Sequence, residues 1–307
     1  MTRVAVIGAG VAGMSAAQLL KAAAVDVVLF DKGRRPGGRL SSTPAPSGLA
    51  DHGAQFVRPS DPALVSELRR SPAARTWPAR HRDGRDALVG EPSNRSLALW
   101  WAEGLKVRSS SKVTKLQRDA AQWTIACEVG SEHGFDACLV TLPAPQADAL
   151  LSASALRPSW RSAIAEIVYA PCWTIVAEPL GEPEFAHDAA PAPPFRWCAP
   201  ESAKPNRTGS AWVAQADADW SREHLEASAE DAGRALLCAL SNATGAAFEL
   251  VRAHRWRFAE VERALNKPSC FDPSLRLAYA SDGCLGGRVE SAWLSGRDAA
   301  ERLLDSI

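Results

Sequence analysis

The chain has 307 residues, which at about 150 per domain predicts two domains with a full hydrophobic core. Lys plus Arg and Asp plus Glu both number 35, so the formal charge is zero and no basic excess favours nucleic acid or anionic lipid. Hydrophobic residues make up 46% and charged residues 23%, which excludes a disordered chain, and no apolar run reaches the roughly 18 residues of a membrane span.

From the N-terminus, 3–7 is a β-branched run closed by glycine, 14–24 is rich in Ala and Leu, and 25–30 is a second β-branched run ending at Asp31. Strand, turn, helix and strand make a βαβ unit, and with it a parallel sheet. The apolar stretch 4–20 behind Arg3 has the outline of a signal peptide, but three glycines at fixed spacing interrupt it. The Gly-, Pro- and Ser-rich segment 34–62 predicts an extended loop, 64–70 a short helix, 75–92 an irregular charged stretch and 93–104 a helix capped by Ser93. Strands are predicted at 106–107, 113–118, 123–128 and 135–142, and a helix at 145–151. Strands at 167–178, 195–199 and 211–215, an amphipathic helix at 223–240 and a strand at 254–258 form a second, antiparallel part. The end returns to strand (275–280), Gly-rich turn (282–288) and helix (289–304).

These elements predict an α/β fold: a doubly wound parallel sheet from 1–62, 93–164 and 269–307, with an inserted α+β antiparallel domain from 63–92 and 165–268. Seven cysteines without a C-x-x-C spacing argue against a metal site and for reduced thiols in a cytoplasmic protein.

Gly8-x-Gly10-x-x-Gly13 lies between the first strand and its helix. Gly8 permits the turn, Gly10 lets backbone approach a pyrophosphate and Gly13 allows helix and strand to pack closely, while the helix N-terminus attracts negative charge. Ala9, Val11 and Ala12 complete the loop, and Asp31, with Lys32 beside it, is spaced for a ribose diol. The pattern alone does not separate NAD from FAD.

Two further stretches make the separation: Arg34-Arg35-Pro36-Gly37-Gly38-Arg39-Leu40 and Asp51-His52-Gly53-Ala54-Gln55-Phe56. With them the chain resembles the flavin-containing amine oxidase superfamily, and within it the small bacterial renalase-like proteins. The finer likeness rests on 142–146, on Trp197 through Lys204-Pro205-x-Arg207 to Ala216, on Trp220-Ser221-x-x-His224 and on His254-Arg255-Trp256-Arg257-Phe258-Ala259. The resemblance implies bound FAD, contacted by Gly38, Arg39, Leu40, Ala54, Gln55, Phe56 and Val113, and a C-terminal segment in which Asp282, Arg288, Val289, Glu290 and Ala292 close the cofactor site. It further implies an isoalloxazine between the two domains, with a helix N-terminus stabilising the reduced ring. Ser281 and Gly283 depart from the glycine and aromatic residue usual there, and Pro44 from a basic one.

Gln55, Arg58, His254 and Trp256 are the candidates for the substrate side. The bland alternatives are a hydrogen-bonded strand histidine, a core tryptophan, a loop salt bridge at Arg58 and a purely cofactor-facing Gln55. The two tyrosines, Tyr169 and Tyr279, sit in ordinary strand contexts and do not suggest an amine cage, and Lys267 is the nearest candidate for a lysine at the flavin. The resemblance implies an oxidase that takes hydride from 2- or 6-dihydroNAD to flavin N5, with O2 reduced to H2O2. An oxidase or desaturase of an amine or apolar metabolite, and a flavin-binding regulator without activity, remain as alternatives.

Overall fold

The computed structural model describes residues 1–78, 86–119, 121–184 and 191–307. It divides into two compact units, Met1–Gly38 with Ala98–Val168 and Val261–Ile307, and Arg39–Leu97 with Tyr169–Glu260.

The first unit carries a six-stranded sheet in the order Cys270–Asp272, Leu277–Tyr279, Ala137–Val140, Arg3–Ile7, Asp26–Phe30, Lys106–Arg108. Every pairing is parallel except that of the first two strands. The apolar runs put Val4, Ala5, Val6, Leu29 and Leu139 at 1% exposure or less, as expected of strands covered on both faces. Helices Val11–Ala22 and Val289–Leu304 pack on one another so closely that a Cβ at Gly296 would overlap the Ala12 carbonyl oxygen, and Ser15 Oγ donates to Trp293 O at 2.9 Å. A three-stranded antiparallel sheet, Ser131–Phe135, Gln122–Cys127 and Val113–Asp119, completes the unit. The single strand expected over 135–142 is broken at Asp136. Its amide donates to Arg3 O and its carboxylate accepts from Arg3 N, both at 2.8 Å, so the residue joins the two sheets.

The second unit is built on a four-stranded sheet in the order Phe195–Pro200, Trp212–Ala216, Val168–Pro179, Phe248–Arg263. Helix Ala229–Thr244 buries Ala232, Leu236 and Leu240 against Trp173, Ile175, Trp212 and Phe248. Each of the two leucines contributes about 1.5–3 kcal/mol by burial. Ser228 caps this helix by accepting from Asp231 N at 3.0 Å, and Gly245 at φ 68° ends it. That cap explains a correction: the helix expected over 223–240 begins only at Ala229 and runs to Thr244, and a separate short helix, Ala218–Glu223, precedes it. The strand expected at 254–258 runs through all of Phe248–Arg263.

The expected 34–62 loop contains a hairpin, Thr43–Ala45 with Gly48–Ala50, and the irregular 75–92 stretch a second, Ala74–Trp77 with Ala87–Gly90; residues 79–85 lie outside the described ones. The domain boundaries shift for the same reason. Residues 165–168 and 261–268, expected with the inserted part, belong to the first unit. Residues 39–62 and 93–97, expected with the nucleotide-binding part, belong to the second, to which the 39–62 backbone is hydrogen-bonded. Ser47 N and Oγ donate to Glu178 Oε1 at 3.0 and 2.6 Å, and Gln215 Nε2 donates to Gly53 O at 2.8 Å. Among the described residues, no helix is long and apolar enough to cross a membrane.

Candidate functional site

The residues expected at the cofactor divide between the two units. In the first, Gly8 turns the chain at φ 113° out of Arg3–Ile7, and Gly10 stands before helix Val11–Ala22 without any side-chain cap. The first-turn amides of that helix are therefore left to a ligand or solvent. A Cβ at Gly13 would overlap the Gly8 carbonyl oxygen and lie 2.9 Å from Thr141 Oγ1, whereas a Cβ at Gly10 meets nothing within 4 Å. Close packing is thus demanded at Gly13, and an open face is presented at Gly10. Asp31 braces the turn, its two carboxylate oxygens accepting from Ala9 N and Gly33 N at 2.6 Å each. Lys32 and Gly38 are exposed, and Gly38 lies beside Gly10, where a Cβ on it would meet the Gly10 Cα at 3.4 Å, van der Waals contact.

The C-terminal segment of this unit is built from buried small groups. Asp282 opens a turn of 3-10 helix, and Arg288, exposed, precedes helix Val289–Leu304 without capping it. In that first turn Glu290 is buried, while Val289 and Ala292 are half-buried. Ser281 needs no glycine: its backbone is extended (φ −166°), its amide donates to Ser295 Oγ at 3.0 Å and its hydroxyl lies 2.8 Å from Tyr279 OH. Val113 begins a strand of the small sheet.

In the second unit the segment 51–56 is held from every side. A Cβ at Gly53 would overlap Arg39 O, the acceptor of Ala54 N at 2.9 Å, so the loop lies directly on the Arg39–Ser41 backbone. Asn94 Nδ2 donates to Ala54 O and Gln55 O at 2.8 and 2.9 Å. Gln55 donates from Nε2 to Asp51 O and to Gly53 O. Beneath them Asp51, Glu201, Lys204 and Arg207, each side chain at most 4% exposed, form a balanced cluster of two carboxylates and two cations. Leu40 is buried, and Arg39 donates from Nη1 to Phe258 O and Ala259 O at 3.3 and 3.0 Å.

His52, His254 and Trp256 come together next to this loop. The His52 ring stacks on Trp256 at 5.5 Å and meets His254 edge-on at 5.2 Å; His254 and Trp256 are 4.2 Å apart. Trp256 Nε1 donates to His52 O at 2.8 Å, so the tryptophan is a polar brace as well as a packed ring. His52 Nδ1 is buried with no hydrogen-bond partner among the described residues. Burial, with like charge from His254, Arg252 and Arg95, holds the His52 imidazole down to about 3, and burial beside Arg252 holds His254 down to about 4. Both rings are neutral at pH 7. Arg58 belongs to a separate aromatic group, its guanidinium 5.0 Å from the centre of the Phe56 ring, which in turn packs against Trp77 and Trp197.

The histidine pair predicts a pH dependence of stability. Both groups are lowered from 6.5, so the unfolded chain binds protons first as pH falls below 6.5, and native stability declines towards about 4 and about 3. The thermal midpoint of the wild type is expected to fall between pH 7 and pH 5 more steeply than that of His52→Asn. Parallel curves would refute the assignment.

The flavin containing amine oxidoreductase family model matches residues 85–304, and the NAD(P)-binding Rossmann-like domain model matches 6–70. The chain belongs to the flavin containing amine oxidoreductase family. It is 23% identical to mouse (Mus musculus) renalase over 298 residues, covering 87% of each chain. Over 66 residues it is 39% identical to the chloroplastic/mitochondrial protoporphyrinogen oxidase 2 of Arabidopsis thaliana, 13% of that protein's length. Among solved structures it is similar to a protein of Exiguobacterium sp. 255-15 whose assignment as a protoporphyrinogen oxidase is itself provisional, with a TM-score of 0.75 at 12% identity over 99% of both chains. Putrescine oxidase bound to putrescine gives 0.70 at 13%, again over 99% of both.

As a member of this family the protein is an FAD-dependent oxidoreductase of the oxidase kind, with a Rossmann-like nucleotide-binding sheet. The residues present fit the cofactor: an open face at Gly10, uncapped helical amides for a pyrophosphate, and on Asp31 lone pairs beyond those given to Ala9 and Gly33. Tyr279 is fully buried and bonded to Ser281, so it is a core residue, and Tyr169 packs on Phe258. Asp51, His52, Lys204 and Arg207 lie within stretches that carry the family resemblance, but no spacing rule marks them as partners. Lys204 and Arg207 lie 153 and 156 residues from Asp51 in sequence and meet it only in the fold.

Proposed function

We propose that this oxidase acts on dihydropyridine nucleotides reduced at the 2 or 6 position, returning them to the aromatic NAD form. The observation that carries the reading is the His52–His254–Trp256 group: flat, uncharged rings beside the Arg252 guanidinium, whose Nη2 lies 3.5 Å from His254 Nδ1. Neutral rings suit stacking against a dihydropyridine, and an arginine suits a phosphate. The carboxylates of the adjoining loop network, Asp51 and Glu201, which a cationic amine would seek, are buried and committed to Lys204 and Arg207.

Bound FAD supplies the electron chemistry, accepting hydride and delivering its electron pair to O2. In the balanced reaction the dihydropyridine, O2 and one proton give the pyridinium and H2O2. The chain's own part is to orient the ring, with Trp256 and His52 as its wall and His52 Nδ1 as a polar contact, and to exclude water from it. Gly8–Gly13, Asp31, Lys32, Asp282, Arg288, Val289, Glu290 and Ala292 are assigned to the cofactor, as are Gly38, Arg39, Leu40, Val113 and Ala54–Phe56; His254, Trp256 and Arg58 are assigned to the substrate. All seven cysteines are free, which supports a cytoplasmic setting.

An anaerobic titration of the yellow protein with separate 2-, 4- and 6-dihydroNAD tests the reading. The 2- or 6-isomer is expected to bleach the flavin, 4-dihydroNAD is not, and admitting O2 restores the colour with peroxide formed. Persistent yellow with all three isomers overturns it and turns the search to amines and apolar donors.

A further inference from the structure

Lys204 is the most confined cation of the cluster. Its ammonium has three donors, and each is used: Nζ reaches Glu201 Oε1 at 2.8 Å, Asp51 Oδ2 at 2.9 Å and Gln55 Oε1 at 3.1 Å. Two of these acceptors anchor the lysine by charge. The third, a neutral amide on the 51–56 segment, contributes no charge balance. Arg207 could neutralise one carboxylate by itself, since it already bonds Glu201 Oε2 at 2.7 Å, Asp51 Oδ2 at 2.9 Å and Gly90 O at 2.6 Å. Asp51 Oδ1 is occupied by Ser42 Oγ and Asn94 N at 2.6 and 2.9 Å. Buried ion clusters of this kind are rarely the cheapest way to stability, because apolar side chains of equal volume often do as well. What they supply here is direction: a fixed point from which the loop carrying His52 is hung.

We propose that Lys204 is a positioning residue, which through Gln55 and Asp51 fixes the 51–56 segment and so sets the His52 ring against Trp256 and His254. The proposal rests on the reading of that segment as part of the flavin and substrate site. Glu201 also holds the segment, its Oε1 accepting from Asp51 N at 3.1 Å, so Glu201→Gln, which keeps an acceptor oxygen there, is the control for that bond. Lys204→Met alone leaves two carboxylates against one arginine and is expected to unfold easily. Lys204→Met with Glu201→Gln restores one negative against one positive charge but leaves Gln55 Oε1 without its donor.

The experiment compares the wild-type holoenzyme with Lys204→Met, Glu201→Gln and the double variant. The double variant is expected to recover most of the thermal stability lost in Lys204→Met. Hydrogen exchange in the peptide spanning 51–57 is expected to be about tenfold faster or more than in wild type and in Glu201→Gln. The limiting rate of flavin reduction by the dihydropyridine should fall about tenfold or more with a smaller change in half-saturation, the pattern of lost orientation. Wild-type exchange in the double variant overturns the proposal, and so does faster exchange with an unchanged reduction rate. If no dihydropyridine reduces the wild type, the substrate reading falls alone. Exchange and the visible flavin band then decide: faster exchange with a shifted band supports the positioning role, and wild-type values of either refute it.

Discussion

Gly13→Val is expected to yield a protein that is purified without its yellow colour. The new side chain would begin inside the Gly8 carbonyl oxygen and 2.9 Å from Thr141 Oγ1, and neither neighbour can yield. Gly8 N is tied to Phe30 O at 2.8 Å, while Thr141 Oγ1 donates to Ile7 O and Gly8 O at 3.0 Å each. The turn must therefore open or the helix must lift from the sheet. Overpacking of this kind costs about 3 kcal/mol, and it dislocates the amides that would meet a pyrophosphate. Flavin content per protein, read from absorbance after denaturation, should drop at least tenfold, with a lowered thermal midpoint. A fully loaded, equally stable Gly13→Val protein would remove the Gly8–Gly13 turn from the cofactor site.

Asp51→Ala should be the most destabilising substitution in the second unit. The carboxylate is fully buried and accepts from Lys204, Arg207, Ser42 and the Asn94 amide. Its loss strands two cations against one remaining carboxylate, Glu201. Breaking a buried ion network from one side costs about 3–5 kcal/mol, which for a protein of this size lowers the thermal midpoint on the order of 10 °C. The pH dependence follows with a fixed sign. Burial pushes the Asp51 carboxyl up, but Lys204 and Arg207 outweigh it and hold it below its ordinary 3.8. Its stabilisation is therefore complete above about 3.8 and is lost as pH falls through the lowered value. Thermal melts from pH 5 to pH 2 should show a steeper acid limb in wild type than in Asp51→Ala. A variant within about 2 °C of wild type would show that the cluster carries little of the fold.

How much was legible in the sequence differs between the two units for a physical reason. The strand Arg3–Ile7, the glycine turn and the helix Val289–Leu304 were readable because their signals are local: β-branched runs, fixed glycine spacing and a helical apolar stripe each act within about ten residues. The same holds for the family, since the stretches 34–40 and 51–56 that carry the resemblance are each contiguous in the chain. Less could be read where side-chain bonds compete with periodicity. Asp136 splits an apparently continuous strand by bonding Arg3, and Ser228, by capping, starts at Ala229 a helix that periodicity alone starts at 223.

Residues 39–62 follow the nucleotide-binding βαβ unit in the chain, yet their hydrogen bonds run to Glu178, Glu201 and Gln215. The sequence by itself determined the βαβ unit and the flavin-binding family, and it pointed to His254 and Trp256 but not to His52. Only the tertiary structure decided that Asp51 and Lys204 share one buried charge network and that His52 stacks on Trp256, 204 residues away. Such pairings are fixed by strand order and burial, which make an unpaired charge or amide too costly to leave, and neither is written in the spacing of residues along the chain.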